Sequence, residues 1–254
     1  LLRVLASQMD GDRENLQGGQ RLLDWPTSQM PDVIHAGYQA LMVMAMEAGA
    51  EIGGWLGDRQ MQSECRGALR RLRRHVPDHL RNKQAAAMLV LAGLADPGKV
   101  CRTVIARGGA EGFSTFYGYY MLEALAEGGL YDEALQIISD YWGAMLDLGA
   151  TTFWEDLNYA HAAGAARIDE PVPAGKFDIH AESGAYCYKG LRHSLCHGWA
   201  SGPTPWLSRH VLGIVPLEPG CKSVAVRPHL GHLKWAEGTF PTPWGVIRVR
   251  HERG

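Results

Sequence analysis

The chain has 254 residues, of which 46 % are hydrophobic and 20 % are charged, and its formal net charge at pH 7 is −2. This composition predicts a folded chain with one large domain, or one medium domain and a small appendage, and argues against disorder. The weak negative charge argues against nucleic acid or an anionic membrane as a partner, and no apolar run approaches the roughly 20 residues of a membrane helix.

Residues 31–147 are predicted to form a succession of helices. Pro31 suits a first helical position, Gly49 a helix end, and Asp58 and Asp96 suit N-caps. The predicted helices span about 31–49, 58–75, 82–95, 97–107, 114–127 and 132–146. Short Gly-rich connections between them predict antiparallel hairpins, the units from which α-solenoids and α/α-barrels are built.

The pattern changes after Gly149. Residues 150–192 show no sustained helical period, and such a long irregular stretch is usually functional. A last helix is predicted over about 193–212, and the chain then alternates with a period of two residues over 222–227, 233–239 and 245–250. The last of these runs has no closing partner strand, which indicates a truncated β-sandwich appendage. We therefore expect a mainly helical partial barrel over 1–213 and the start of a β-domain over 214–254.

Glu155 is the first candidate for chemistry. It lies between Trp154 and Asp156, and a carboxylate beside a large indole is partly shielded from water, which suits acid–base catalysis. The alternative is a loop carboxylate that caps a backbone or pairs with an arginine.

His197 is the second candidate. It is surrounded by Gly198, Trp199 and Gly202, and small residues allow a ligand to approach the backbone closely. A structural role for this histidine is the alternative. Cys196 precedes it, but adjacent residues of a helix point about 100° apart, which disfavours a Cys–His nucleophile pair.

Further candidates for a sugar-binding wall are Asp24 and four aromatic residues. Asp24 and Trp25 lie in a loop, where binding residues are common. Tyr117, Tyr119 and Tyr120 lie within a predicted helix, where core packing is the stronger interpretation. No spacing singles out one of the remaining acids of the irregular segment, which are Asp169, Glu170, Asp178 and Glu182.

The sequence lacks the motifs of several common classes of binding site. The number of cysteines is odd and no C-x-x-C pair occurs, which argues against a disulfide framework and a zinc site. The chain has neither a Gly-rich phosphate loop nor H-E-x-x-H. We therefore predict no metal and no cofactor. The basic run over 66–74 is interpreted as solvated surface, and the oligomeric state and compartment stay open.

Four stretches of the chain carry a resemblance to a known family. They are G-A-T-T-F-W-E-D (149–156), H-S-L-C-H-G-W-A-S-G-P-T (193–204), V-L-G-I-V-P-L-E-P-G (211–220) and P-H-L-G-H-L-K-W-A-E-G-T-F-P-T-P-W-G (228–245), and the shorter Y-W-G-A-M-L (141–146) and L-D-W-P-T (23–27) agree with them. Together they resemble the C-terminal half of bacterial α-L-rhamnosidases of glycoside hydrolase family 78. The chain departs from the better-known pattern, in which W-E-R-W is followed by N-H-Y.

The resemblance implies a barrel of six helical hairpins followed by a small β-sandwich, and inverting hydrolysis of terminal α-L-rhamnosyl residues by water. It implies that Glu155 is the general base, that His197 contacts the sugar and that Trp25 stacks on it. We also predict substrate contacts from Asp24, Trp154 and Trp199. The family's general acid would precede Leu1. We therefore expect the chain to be part of a longer bacterial protein, and we expect no hydrolysis from residues 1–254 alone.

Two other functions remain open. The second hypothesis is another α/α-barrel carbohydrate enzyme, for instance one that acts on uronic acid oligosaccharides and needs basic residues in its cleft. A non-catalytic sugar-binding relative would use the same aromatic wall. Either way the predicted partner is a carbohydrate.

Overall fold

The computed structural model describes residues 1–17, 21–179 and 192–254. These residues form two compact units, Leu1–Arg107 and Gly108–Gly254. Within the described ranges, no helix is both long enough and apolar enough to cross a membrane.

The first unit is helical, with one very short hairpin near its start. Its helices are α1 (Leu2–Ser7), α2 (Pro31–Leu56), α3 (Arg59–Leu72), α4 (Lys83–Leu91) and α5 (Pro97–Val100), and α5 continues into a π-turn (Cys101–Ile105). The hairpin pairs β1 (Met9–Asp10) with β2 (Arg13–Glu14). The side chains of Asp58, Asn82 and Asp96 cap α3, α4 and α5 as N-cap acceptors, which confirms these predicted helix starts.

Helix α2 is longer than predicted, because Gly49 does not end it. A Cβ atom at Gly49 would lie 2.6 Å from a methyl carbon of Leu2 and 2.9 Å from the sulfur of Cys65. This glycine therefore serves close packing within the helix. The helix ends instead at Gly57, whose left-handed φ of 71° suits a C-terminal glycine.

A buried carboxylate joins the short hairpin to α2. Glu14 is 5 % exposed, and its Oε1 lies 2.7 Å from Nδ1 of His35 and 2.5 Å from the Arg21 guanidinium. The Nε2 atom of His35 lies 3.0 Å from Nε2 of His75. This network ties residues from three parts of the unit together, and sequence reasoning missed it because its members are 7 to 40 residues apart.

The second unit begins with a helical hairpin, α6 (Thr115–Glu127) and α7 (Tyr131–Asp147), close to the predicted bounds. A single turn, α8 (Tyr159–Ala162), lies in the segment predicted to be irregular. The unit's largest fully buried side chains include Trp154, Trp206 and Tyr141.

The predicted helix over about 193–212 is wrong in its first part. Residues 193–197 form bends and irregular backbone, a 3-10 turn covers Gly198–Ala200, and helix starts only at α9 (Pro203–Trp206), which continues into a π-turn (Leu207–Val211). Pro203 lacks the N–H that a helix interior needs, so it stands at a helix start. Residues 193–197 instead bond to residues 152–156, as described below.

The strands form two small antiparallel sheets at the end of the chain. One pairs β3 (Ile214–Pro216) with β4 (Val224–Val226), and the other pairs β5 (Trp235–Thr242) with β6 (Gly245–Glu252). The expectation that the last run lacks a partner strand is wrong, because Thr242 pairs with Gly245 across a two-residue turn and β6 returns along β5.

The predicted fold class is confirmed: the chain is mainly helical, with helical hairpins followed by small antiparallel sheets. The boundary predicted between 213 and 214 stays a prediction.

Candidate functional site

Two distant segments of the second unit lie side by side and build the candidate site. The amide of Glu155 donates to the carbonyl of Ser194 (2.8 Å), and the amide of His197 donates to the carbonyl of Phe153 (2.7 Å). The Thr152 hydroxyl donates to the carbonyl of Leu195. The two motifs that the sequence singled out, around Glu155 and around His197, are therefore brought together.

The Glu155 carboxylate is held at one oxygen. Glu155 is 8 % exposed, and its Oε2 accepts a hydrogen bond from the amide of Ser194 (2.9 Å). Its Oε1 accepts none from any described residue, and no described lysine, arginine or histidine forms an ion pair with it. One oxygen is thus fixed by the backbone, and the other retains its capacity to accept a proton.

The main chain of Glu155 is also held. Its carbonyl oxygen accepts hydrogen bonds from the Thr115 hydroxyl, at the start of α6, and from Nε1 of Trp199 (2.6 Å). Donors from two other elements therefore converge on a single carbonyl, in addition to the Ser194 contacts.

An aromatic cluster lies next to this carbonyl. The ring of His197 meets that of Trp199 edge-on, with centroids 4.3 Å apart, and Trp199 stacks on Phe116 with centroids 5.3 Å apart and planes inclined by 16°. The His197 ring makes no hydrogen bond to the described residues, which leaves its nitrogens available to a ligand. Phe116, which is 37 % exposed, was missed by sequence reasoning because nothing local distinguishes it from the adjacent core residues of α6.

A cavity of about 450 Å³ opens beside His197. It lies between the end of α7 and the segments around 150–153 and 196–198. Most of its lining is apolar, and Glu155 does not line it. Its lining residues are Trp142, Met145, Leu146, Ala150, Thr151, Thr152, Phe153, Cys196, His197 and Gly198.

The neighbours of Glu155 are enclosed. Trp154 is 0 % exposed and Asp156 is 3 % exposed. The Oδ1 atom of Asp156 accepts a hydrogen bond from the amide of Leu157 (2.8 Å). The indole of Trp154 thus has no exposed surface in this structure, and its predicted sugar contact stays a prediction.

Asp24 and Trp25 lie in the first unit. Asp24 is 5 % exposed and caps the 3-10 turn Trp25–Thr27, with Oδ1 accepting from the Trp25 amide (2.9 Å) and Oδ2 lying 3.3 Å from Nε2 of Gln84. Trp25 is half-buried. Both carboxylate oxygens of Asp24 therefore have a structural task, and the predicted sugar contacts of this pair stay predictions.

The other candidates, three tyrosines and the acids of the irregular segment, differ in burial and in contacts. Tyr117 is buried, as the core interpretation predicted, whereas Tyr119 and Tyr120 are half-buried. Burial and the nearby Glu123 carboxylate raise the pKa of Tyr119. Asp169 forms an exposed ion pair with Arg167 (2.6 Å), and Glu182 lies outside the described residues.

Comparison with known families gives a match at the end of the chain. A family described as the bacterial alpha-L-rhamnosidase C-terminal domain matches residues 213–254. No curated protein matches the chain.

Solved structures match the whole chain. The alpha-L-rhamnosidase of Streptomyces avermitilis, solved with L-rhamnose, is 20 % identical in sequence and matches with a TM-score of 0.74. The match covers 100 % of this chain and 24 % of the Streptomyces chain. The GH78 rhamnosidase of Bacillus sp. GL1 is 21 % identical with a TM-score of 0.71, and the match covers 99 % of this chain and 27 % of the Bacillus chain. The alfa-L-rhamnosidase of Aspergillus terreus is 16 % identical with a TM-score of 0.65, and the match covers 86 % of this chain and 25 % of the Aspergillus chain.

These matches confirm the predicted resemblance. The last part of the chain matches a rhamnosidase domain, and the whole chain has the fold of a part of rhamnosidase structures. The chain spans about a quarter of the length of the solved structures that it matches.

Proposed function

We propose that the chain carries the general-base side of the active site of a glycoside hydrolase that removes terminal α-L-rhamnosyl residues with inversion. The observation that carries this proposal is the state of Glu155, whose Oε2 is bound to the Ser194 amide while Oε1 accepts no hydrogen bond from the described residues. The carboxylate also has no cationic partner among those residues. A base needs such an oxygen within hydrogen-bond reach of a water molecule.

In the proposed reaction, Oε1 of Glu155 accepts a proton from a water molecule as the water oxygen attacks the anomeric carbon. The bond from that carbon to the leaving oxygen breaks, and a general acid gives the leaving oxygen its proton. Attack from the face opposite the leaving group inverts the configuration. The hydrogen bond between Oε2 and the Ser194 amide holds the carboxylate in place during this step. The carboxylate therefore loses little conformational entropy when the reaction occurs.

The proposed role of His197 is to bind a hydroxyl group of the sugar. Its ring nitrogens make no hydrogen bond to the described residues, and its ring packs against Trp199 beside the Glu155 carbonyl. A sugar hydroxyl accepts or donates a hydrogen bond, so either tautomer of the ring suits it.

The proposed reaction also needs a general acid, and neither Asp24 nor Asp156 is placed for that role. Inverting enzymes carry their two carboxyl groups about 6.5–9.5 Å apart. Asp156 is enclosed with Oδ1 bonded to the Leu157 amide, and Asp24 caps a turn, so neither is proposed for this role. The natural full-length protein is therefore the form in which we expect turnover.

Two other functions predict different behaviour. An enzyme for uronic acid oligosaccharides needs a cation near the sugar carboxylate, and no described lysine or arginine forms an ion pair with Glu155 or lines the cavity beside His197. A non-catalytic sugar-binding protein needs no base, and Glu155 would then be replaceable without loss of binding.

A hydrolysis screen of aryl glycosides tests the proposal. The natural full-length protein should hydrolyse aryl α-L-rhamnoside and release β-L-rhamnose first, which NMR of the fresh product detects. The Glu155→Gln variant should lose that activity while it still binds L-rhamnose. Hydrolysis of an aryl uronide instead, or binding without any hydrolysis, would favour one of the other two functions.

A further inference from the structure

The Glu155 carbonyl oxygen accepts two hydrogen bonds from side chains that have different origins in the fold. Thr115 is the first residue of α6 and is 1 % exposed, and Trp199 lies in the 3-10 turn Gly198–Ala200. A third contact, from the Ser194 amide, reaches the carboxylate of the same residue. The position of Glu155 is thus set by groups that belong to three separate parts of the second unit.

Trp199 is connected on its other sides as well. One face of its indole is stacked on Phe116, and the ring of His197 meets it edge-on. Its Nε1–H is bound to Glu155 at 2.6 Å. Because an aromatic ring has two faces and one of these is covered by Phe116, Trp199 is better placed to hold its neighbours than to offer a broad stacking surface.

We propose that Trp199 and Thr115 are positioning residues that act through the Glu155 carbonyl, and that Trp199 couples the position of Glu155 to that of His197. This inference rests on the function proposed above. A base must lie within about 3 Å of the water that it deprotonates, and a displacement of about 1 Å in such a group costs on the order of a hundredfold in rate. Trp199 was expected from the sequence to contact the sugar, and the inference replaces that role.

Two variants each remove one donor. Trp199→Phe retains an aromatic ring between Phe116 and His197 but loses the Nε1–H, and Thr115→Val retains the shape of the side chain but loses the hydroxyl. We expect each to lower kcat by about tenfold to a hundredfold and to change KM by less than about threefold. The acid limb of the kcat/KM pH profile should also move, because that limb reports the free enzyme's base.

A matched control is present in the same unit. Trp244, in the turn between β5 and β6, donates its Nε1–H to the carbonyl of Gly220 (3.0 Å) and is 73 % exposed. Trp244→Phe removes the same kind of hydrogen bond outside the candidate site. Its kcat and pH profile should match those of the unchanged protein.

The measurements use the natural full-length protein, with Glu155→Gln assayed beside the other variants. If Trp199→Phe raises KM and leaves kcat unchanged, Trp199 contacts the sugar directly and the inference is overturned. If Trp199→Phe and Thr115→Val both retain normal kcat while Glu155→Gln is inactive, the two donors do not position the base. If Glu155→Gln itself is active, the proposed function fails first.

A readout that does not need activity completes the test. In the 254-residue chain, amide hydrogen exchange at Glu155 and His197 should be slow, because both amides are bonded between the two segments. Thr115→Val and Trp199→Phe should accelerate exchange at Glu155 while the thermal midpoint stays within a few degrees. Unchanged exchange at Glu155 in both variants would contradict the proposed positioning role of Trp199 and Thr115. If Trp199→Phe fails to fold, the result for Thr115→Val alone tests the proposal.

Discussion

Glu155 and Ser194, which are 39 residues apart in the sequence, are joined by two hydrogen bonds. The Glu155 amide donates to the Ser194 carbonyl at 2.8 Å, and the Ser194 amide donates to Oε2 of Glu155 at 2.9 Å. The second bond joins the backbone of one segment to the candidate catalytic side chain of the other. The backbone pairing of two segments is therefore also what orients that carboxylate.

We predict that Glu155→Gln removes catalysis without loss of stability. The glutamine oxygen still accepts from the Ser194 amide, whereas the amide group no longer accepts a proton from water. The rate with aryl α-L-rhamnoside should fall by about a hundredfold or more, the usual scale of acid–base catalysis. Initial rates and a thermal melt measure both effects. Glu252→Gln, at an exposed position, is the control, and a near-normal rate for Glu155→Gln would refute the assignment.

We predict that His197→Ala weakens sugar binding and lowers the rate together. The ring makes no hydrogen bond to described residues, so its loss costs a ligand contact rather than an internal bond. Titration calorimetry with L-rhamnose and steady-state kinetics measure the two effects. Cys196→Ala is the matched control, since this exposed neighbour lines the same cavity. An unchanged dissociation constant in His197→Ala would show that the ring does not contact the sugar.

We predict that the stability of the first unit falls as the pH is lowered from 7.5 to 5.5. Burial, together with the charges of Arg13 and His35, holds the pKa of His75 below its usual value. The unfolded chain then binds the proton more readily than the folded one. The contribution of His75 is therefore complete above about pH 6.5 and is lost as the pH falls toward the lower pKa of the folded state.

Glu14 extends this loss to more acidic solution. Burial acts to raise the pKa of the Glu14 carboxyl, but hydrogen bonds from Arg21, His35 and the Leu16 amide together lower this pKa by more than burial raises it. The pKa of Glu14 therefore lies below its ordinary value. Its stabilising contribution is present above the unfolded pKa of about 4.3 and is lost as the pH falls below that value toward the folded pKa.

Thermal melts of the unchanged protein and of His75→Gln between pH 5.5 and 7.5 test the histidine contribution. The glutamine amide still reaches toward Nε2 of His35 but does not titrate, so the melting temperature of the variant should depend less on pH. His232→Gln, at an exposed position, should retain the full dependence. Equal pH dependence in the unchanged protein and His75→Gln would contradict the prediction.

We predict that Gly213→Ala destabilises the last part of the chain. Gly213 has a φ of 71°, and a Cβ atom there would lie 2.3 Å from the carbonyl carbon of Arg227. The left-handed backbone and the contact with main-chain atoms together should cost about 2–4 kcal/mol. Urea unfolding measures the loss.

Gly67→Ala provides the opposite control. Gly67 lies within α3, and a Cβ atom there meets nothing within 4 Å. Alanine should therefore stabilise the helix by about 0.5–1 kcal/mol. If both alanine variants had the same free energy of unfolding, the close approach of Gly213 to Arg227 would be wrong.

Much of the helical part of the fold was predictable from local sequence signals. Asp58, Asn82 and Asp96 accept hydrogen bonds from amides three residues further along the chain, so the residue type at one position defines the helix start. The change in period near Gly213 likewise predicted strands, because side chains repeat every two residues in a strand and every 3.6 in a helix. The motifs around Glu155 and His197 identified the candidate residues.

Tertiary structure decided what these local signals do not contain. Gly49 was predicted to end a helix, but Leu2 and Cys65 pack against it from other parts of the chain and the helix continues. Residues 193–197 were predicted to be helical, but their backbone groups bond to Thr152, Phe153 and Glu155 instead. Trp154 and Glu155 are sequence neighbours, yet one has no exposed surface and the other retains an oxygen without a described partner. Caps and periods depend on residues a few positions apart, whereas burial and backbone pairing depend on segments tens of residues apart, and only the folded chain brings those together.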